Sequence, residues 1–208
     1  MDSPEQPQIY LITPAAFELS QFPDALAQVL DSLPIACVRL ALASRNEDQI
    51  ARAADALREV AHARDVALVI AEHLVLAERL GLDGVHLGNA ANSVRAARKA
   101  LGPDAIVGSF CGTSRHDGLG AGEAGADYVS FGPVGGAALG DGSLAGVELF
   151  QWWSEMIEVP VVAEGGLTAD TMRALASCTD FFGIGDEIWR AETPTAALSD
   201  LMAAIGQT

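Results

Sequence analysis

The stretch Gly81-Leu82-Asp83-Gly84-Val85-His86-Leu87-Gly88-Asn89 decides the fold. It reads as a helix end, a tight turn, a four-residue strand and a loop that opens on glycine. Gly81 suits the position just past a helix, where φ is positive. Val85 and Leu87 are apolar and flank His86. Gly88 lets the chain turn sharply at the carboxyl end of the strand. In parallel α/β folds that end carries the ligand.

The same unit repeats outward from this stretch. Gln8–Ile12 reads as a first strand, followed by a helix near Phe17–Leu33. Ala36–Ala41 is a second strand. Ser44-Arg45-Asn46-Glu47 fits a capping box with serine as the cap, opening a helix to about Arg64. Ala67–Ile70, Gly84–Leu87, Ile106–Ser109, Tyr128–Phe131, Val159–Ala163 and Phe181–Ile184 are the remaining strands. Between them come helices at Leu74–Leu80, from an Asn92 or Ser93 cap to Leu101, at Gly118–Ala124, at Val147–Ile157, and after Thr168. Thr193-Pro194 reads as cap and first residue of the last helix. Eight βα units with short apolar strands predict one (β/α)₈ TIM barrel domain over residues 1–208. A doubly wound open sheet is the competing arrangement.

Composition narrows the partners. The chain has 208 residues, 28 acidic and 12 basic, for a net charge of -16. That balance argues against nucleic acid and anionic membrane surfaces. No apolar run approaches the roughly 20 residues of a membrane span. The first residues are acidic and proline-containing, unlike a signal peptide. Cys37, Cys111 and Cys178 have neither metal-site nor disulfide spacing. The expectation is a cytoplasmic protein with reduced cysteines and a small-molecule ligand. Adjacent Trp152 and Trp153 leave room for a homodimer, one indole packing on the barrel and the other reaching a partner.

Three motifs in order resemble the thiamine-phosphate synthase family, which also includes the thiazole tautomerases. Asp83-Gly84-Val85-His86-Leu87-Gly88-Asn89 is similar to that family's DGVHLGQ. Gly125-Ala126-Asp127-Tyr128-Val129-Ser130-Phe131-Gly132-Pro133-Val134 is similar to GADYVxFGPV. Val159-Pro160-Val161-Val162-Ala163-Glu164-Gly165-Gly166-Leu167 is similar to IPVVAIGGI. The resemblance implies a (β/α)₈ barrel that joins a pyrimidine pyrophosphate to a thiazole phosphate. It also implies magnesium and cations on the departing pyrophosphate.

The sequence departs from the family at most of those cations and ligands. The family's strand-two Gln-x-Arg-x-Lys is Cys37-Val38-Arg39-Leu40-Ala41, so Arg39 alone remains. The Asn-Asp pair after strand three is Ala71-Glu72. The aspartate after strand four falls on Ala91, and the serine after strand five falls beside Ser109, at Phe110. The loop after strand six, Gly132–Gly146, holds six glycines and neither lysine nor arginine. It reads as a lid over the mouth or a plain connector. The tautomerase histidine falls on Pro133. Magnesium is expected for the family, but its ligands are replaced, so the sequence implies no metal site and no other cofactor.

The phosphate site changes as well. In the family, the Gly-Gly pair after strand seven and a serine after strand eight hold phosphate. Here Gly165 and Gly166 remain, the serine position is Asp186, and Glu164 and Glu187 stand nearby. A carboxylate at 4 Å repels each unit of phosphate charge by roughly 4 kcal/mol at an effective dielectric of 20. The candidate catalytic residues are therefore Arg39, as an anion clamp or a buried partner of Glu72, and Glu72 itself, as acid or base. The candidate substrate contacts are His73, Asn89, Ser109, Gly132, Gly165, Gly166 and Asp186. His86 reads as an interior histidine satisfied by neighbours. Arg115 and His116 read as loop residues, and Asp186 and Glu187 as helix-capping acids. The expected function is a divergent family enzyme acting on a less anionic heterocycle. The alternative is a non-catalytic binding or regulatory relative.

Overall fold

The computed structural model describes residues 6–206 apart from 89, 90 and 137, and at 91 and 92 the backbone alone. Eight strands close into a parallel barrel in chain order: β1 (Gln8–Ile12), β2 (Ile35–Leu40), β3 (Ala67–Ala71), β4 (Gly84–Leu87), β5 (Ile106–Phe110), β6 (Tyr128–Phe131), β7 (Val161–Glu164) and β8 (Phe181–Ile184). The last strand pairs with the first, Leu11 against Ile184. Helices α1 (Phe22–Ser32), α2 (Glu47–His62), α3 (Leu74–Leu80), α4 (Ala91–Leu101), α5 (Arg115–Glu123), α6 (Val147–Met156), α7 (Ala169–Leu175), α8 (Asp186–Trp189) and α9 (Pro194–Ala203) complete the chain order. No described helix is long and apolar enough to cross a membrane.

Strand alternation sorts the side chains into two cores. Ile9, Leu11, Val38, Leu40, Leu68, Ile70, Val85, Val107, Val129 and Phe131 point outward and pack with the helices. Tyr10, Cys37, Val69, Tyr128 and Val162 fill the barrel interior, with Ile12, Ala67, Ile106 and Phe181 against them. A barrel interior is ordinarily built from Val, Ile and Leu. Here it carries tyrosines, and charged groups beside them. Glycine makes the space: a Cβ on Gly108 would collide with the Tyr128 ring, and one on Gly183 would meet Glu164 Cβ at 2.9 Å.

At the opposite end of the barrel one device recurs three times. An aspartate just before an even-numbered strand accepts a backbone N–H from the preceding odd-numbered strand. Asp83 takes Leu68 N at 2.7 Å, Asp127 takes Val107 N at 2.7 Å, and Asp180 takes Val161 N at 2.8 Å. These bonds set the register at the amino ends, and so fix where the carboxyl ends stop.

Several boundaries differ from the sequence reading, each for a local reason. Helix α1 starts at Phe22, with Pro23 in its first turn; Phe17 instead stacks on Phe22 at 4.3 Å. Asn46, not Ser44, caps α2 by accepting from Gln49 N. The Ser44 hydroxyl bonds Asn46 N and Gln49 Oε1 instead. Helix α4 begins at Ala91, so Ser93 lies inside it rather than capping it. Helix α5 begins at Arg115, capped by Ser114, which places Arg115 and His116 in a first turn rather than a loop. The glycines of α5 suggest a shorter helix, yet Gly118 is needed there: a Cβ would meet Trp153 at 2.7 Å. Thr193 makes no side-chain cap bond. Strand β7 begins at Val161 and runs through Glu164, one residue beyond the end that the sequence suggests. The one-turn α8 has no counterpart in the sequence reading.

The tyrosine-glycine fit gives a direct test. Gly108→Ala should destabilise the fold by about 1–3 kcal/mol or more, because overpacking a closed interior forces the ring or the strand to move. Urea unfolding reads this; a change within about 0.5 kcal/mol, the range of an ordinary surface substitution, would show that the interior is looser than described.

Candidate functional site

The carboxyl ends of the strands hold a polar cluster sunk into the barrel. Arg39 on β2 and Glu164 on β7 are 6% and 2% exposed, and their side chains form a two-pronged ion pair. Arg39 Nη1 lies 3.2 Å from Glu164 Oε1 and 2.5 Å from His86 Nε2. Because a guanidinium can only donate, Nε2 accepts and His86 carries its proton on Nδ1. That Nδ1–H donates to the Tyr128 hydroxyl at 2.9 Å, which bonds Tyr10 at 2.6 Å. The Arg39 guanidinium also lies 5.6 Å from the Tyr10 ring centre. One continuous network therefore runs Glu164–Arg39–His86–Tyr128–Tyr10.

Burial and charge set the protonation states. Burial works against the Arg39 charge, but Glu164, together with Tyr10 and Tyr128, holds the guanidinium above its ordinary range. Burial, with Arg39 beside it, pushes His86 well below the usual imidazole value. Burial likewise raises Tyr10 and Tyr128, so both remain phenols. Burial pushes the Cys37 thiol up to about 12, leaving it protonated and inert. Two residues beyond Tyr128 on the same strand face, Ser130 is fully buried; its Oγ has no hydrogen-bond partner among the described residues.

Around this cluster the loops place the remaining candidates. Glu72, just past β3, has a left-handed backbone with φ +65°. Such strain in a residue other than glycine costs about 1–3 kcal/mol and is characteristic of functional positions. Its carboxylate accepts the Gly88 backbone N–H, tying the loop after β3 to the loop after β4. Arg39 pairs with Glu164, not with Glu72. His73 sits at the start of α3 and makes no cap bond through its side chain. Asn89 lies outside the described residues. Ser109 is fully buried on the helix side of β5, near the Cys111 sulfur, so it does not line the mouth. Its neighbour Phe110 lies under Gly140 of the loop after β6.

Gly132, Gly165 and Gly166 do come together. A Cβ on Gly132 would collide with the Glu164 carbonyl, and one on Gly166 would meet the Gly135 backbone at 2.8 Å. Val134 N and Gly135 N both bond Gly165 O at 2.9 Å, and Ala145 N bonds Pro133 O at 2.8 Å. Both ends of the Gly132–Gly146 loop are thus tied down. Asp186 turns outward, its carboxylate 2.5 Å from Arg190. It lines a cleft of about 540 Å³ with Pro14, Phe17, Phe22 and Trp189, outside the barrel interior. Glu187, the next residue, takes the backbone amides instead: Oε1 accepts from Gly166 N and Leu167 N at 3.1 Å each, and Oε2 from Gly185 N at 2.7 Å. Of the paired indoles, Trp153 is fully buried against Phe131, and Trp152 lies under the Arg115 guanidinium.

Sequence reasoning missed Tyr10, Tyr128, Glu164 and Glu187 as a working set. The signal was present for the first three. Each is a polar residue at an inward position of a short apolar strand, in step with Arg39 or His86. Glu187 gave no such signal, because α8 is too short to leave a periodic trace.

The architecture is that of a barrel protein with its polar centre at the carboxyl ends of the strands. The family described as thiamine monophosphate synthase matches residues 9–181, and the chain belongs to that family. A thiamine-phosphate synthase of Rhodospirillum centenum is 42% identical over 198 residues, covering 93% of this chain and 95% of that protein. One from Erythrobacter litoralis is 36% identical over 205 residues, covering 95% and 96%. Among solved structures, thiamine phosphate pyrophosphorylase from Pyrococcus furiosus superposes with a TM-score of 0.81 at 23% identity, covering 96% of each chain. That last match bears on the fold alone.

The network predicts a pH dependence. His86, buried and bonded to Arg39 and Tyr128, stays neutral in the fold, whereas an unfolded histidine takes up a proton near pH 6.5. A depressed native value means stability is full above about pH 6.5 and falls as pH drops toward the native value. The slope is about 1.4 kcal/mol per pH unit. His86→Gln keeps an acceptor for Arg39 and a donor for Tyr128 but cannot titrate. Urea unfolding from pH 7 to pH 4.5 should show a shallower decline for His86→Gln, by close to one proton. Identical slopes would mean that His86 is charged in the native protein.

Proposed function

We propose that this chain is a divergent enzyme of the thiamine-phosphate synthase family, whose mouth takes a heterocycle less anionic than the family's phosphorylated pair. The observation that carries the reading is the Arg39–Glu164 ion pair. Arg39 is the cation that remains of the family's strand-two run, and it is already neutralised from within. The position of the run's lysine is Ala41, and residues 132–146 supply no lysine or arginine to replace it.

The magnesium implied by the family does not fit the residues present. Its carboxylate after strand four is Ala91, and the Asn-Asp pair after strand three is Ala71-Glu72, so Glu72 is the one carboxylate left at those positions. Among the described residues no group of three His, Cys, Asp or Glu side chains could hold a metal. What remains is a rim carrying Glu72 and Glu187 around an internally balanced pair. A cation beside such a solvent-accessible carboxylate gains up to about 1 kcal/mol, and an anion loses as much. The mouth thus favours a neutral or cationic aromatic ring, with Glu72 at hand to exchange a proton.

Retention of the family's own reaction draws its support from relatives of that name at 42% and 36% identity. Turnover separates the two readings. With magnesium, the pyrimidine pyrophosphate and the thiazole phosphate, the purified protein should run at least about 10²–10³ below a rate of about 1 s⁻¹, since removing a single preorganised electrostatic group slows an enzyme by roughly that factor. A rate at or above about 1 s⁻¹ would establish the family reaction and overturn the proposal.

A further inference from the structure

The loops after β7 and β8 form a cradle of backbone N–H groups. Gly165 and Gly166 both have left-handed backbones, φ +86° and +74°, which turn successive amides toward one point. The N–H groups of Gly166 and Leu167 converge there with that of Gly185 from the loop after β8. Concave sets of amides of this kind bind anions. Here the anion is the protein's own. Glu187 places one oxygen on Gly166 and Leu167 and the other on Gly185. Among the described residues no arginine, lysine or histidine forms an ion pair with it. The amides alone balance its charge, and both of its oxygens are used.

We infer that Glu187 is a specificity-determining residue: its carboxylate fills the amide cradle and bars a phosphate monoester from it, restricting the ligand to an unphosphorylated heterocyclic alcohol. The neighbouring acid has a different role, since Asp186 is held outward by Arg190. This assignment rests on the reading that the mouth takes a less anionic heterocycle, and it narrows that reading to one group on the ligand. The β7 side of the cradle also has contacts that do not involve Glu187. The Gly166 turn is wedged against Gly135, and Gly165 O holds the amides of Val134 and Gly135.

The experiment compares wild type with Glu187→Ala by titration calorimetry. The probes are inorganic phosphate, a thiazole alcohol and the phosphate ester of that alcohol. The wild type should show no phosphate binding and should favour the alcohol over the ester. Glu187→Ala should bind inorganic phosphate, with affinity at least about tenfold above wild type, and its preference should move toward the ester by a similar factor. A merely structural glutamate would cost stability on removal and bring no anion affinity; that result overturns the assignment. Should Glu187→Ala fail to fold, the wild type still decides the matter. The amide resonances of Gly166, Leu167 and Gly185 should stay unmoved as phosphate is added, and their movement overturns the assignment. The two readings fail separately. Absence of phosphate binding by the variant leaves the low turnover of the wild type untouched. Fast turnover of the phosphorylated pair overturns the functional reading, whatever the variant binds.

Discussion

The ion pair between Arg39 and Glu164 sits where a barrel ordinarily places aliphatic side chains. Removing either charge from water is costly, and their attraction offsets that cost only when the geometry is tight and the remaining donors are used. Both conditions hold: the carboxylate takes two guanidinium nitrogens, and one of those nitrogens also reaches His86. The rest of the interior is arranged around this requirement. His86 must be neutral and must carry its proton on Nδ1, which determines that it donates to Tyr128. Tyr128 needs the space that Gly108 leaves, and Glu164 the space at Gly183. A single buried pair thus fixes a tautomer, two phenols and two glycines.

The same principle explains the mouth. Two elements there can bind an anion, a guanidinium and a cradle of amides, and each is satisfied by a glutamate of the chain itself. Glu164 occupies the first and Glu187 the second. Glu72 adds a third link by joining the loops after β3 and β4 through a strained backbone. The family fold is kept, with the Arg39 guanidinium and the amides of Gly166, Leu167 and Gly185 each paired to a glutamate of the chain. Internal balance of this kind costs less than leaving a buried cation and several amides unpaired.

Much of the fold was legible because strand alternation and turn chemistry act locally. The Gly81–Asn89 stretch placed β4 to the residue, and the (β/α)₈ order followed from repetition. Helix starts were less legible where two capping residues compete, as Ser44 and Asn46 do. At the site, the legible part was which strand ends matter. Which side chain points inward was harder, since a shift of one residue reverses the face. Ser109 and Phe110 show this on β5: the serine faces the helices and the phenylalanine lies toward the mouth. Asp186 and Glu187 show it after β8, where a one-turn helix sends adjacent acids to opposite sides. The sequence shows Glu164 as an acid near the glycines, but its partner depends on contact across the barrel, between residues 125 positions apart.

Everything in the interior turns on Arg39 and Glu164 being coupled as one buried unit. Arg39→Met, Glu164→Leu and the double variant, unfolded in urea, form a thermodynamic cycle around that coupling. Each single change should cost roughly 3–5 kcal/mol, because it strands a charge in the interior. The double variant should recover most of that loss, since no uncompensated charge remains. Losses that instead add to within about 0.5 kcal/mol would contradict the account, because additivity of that order marks independent sites.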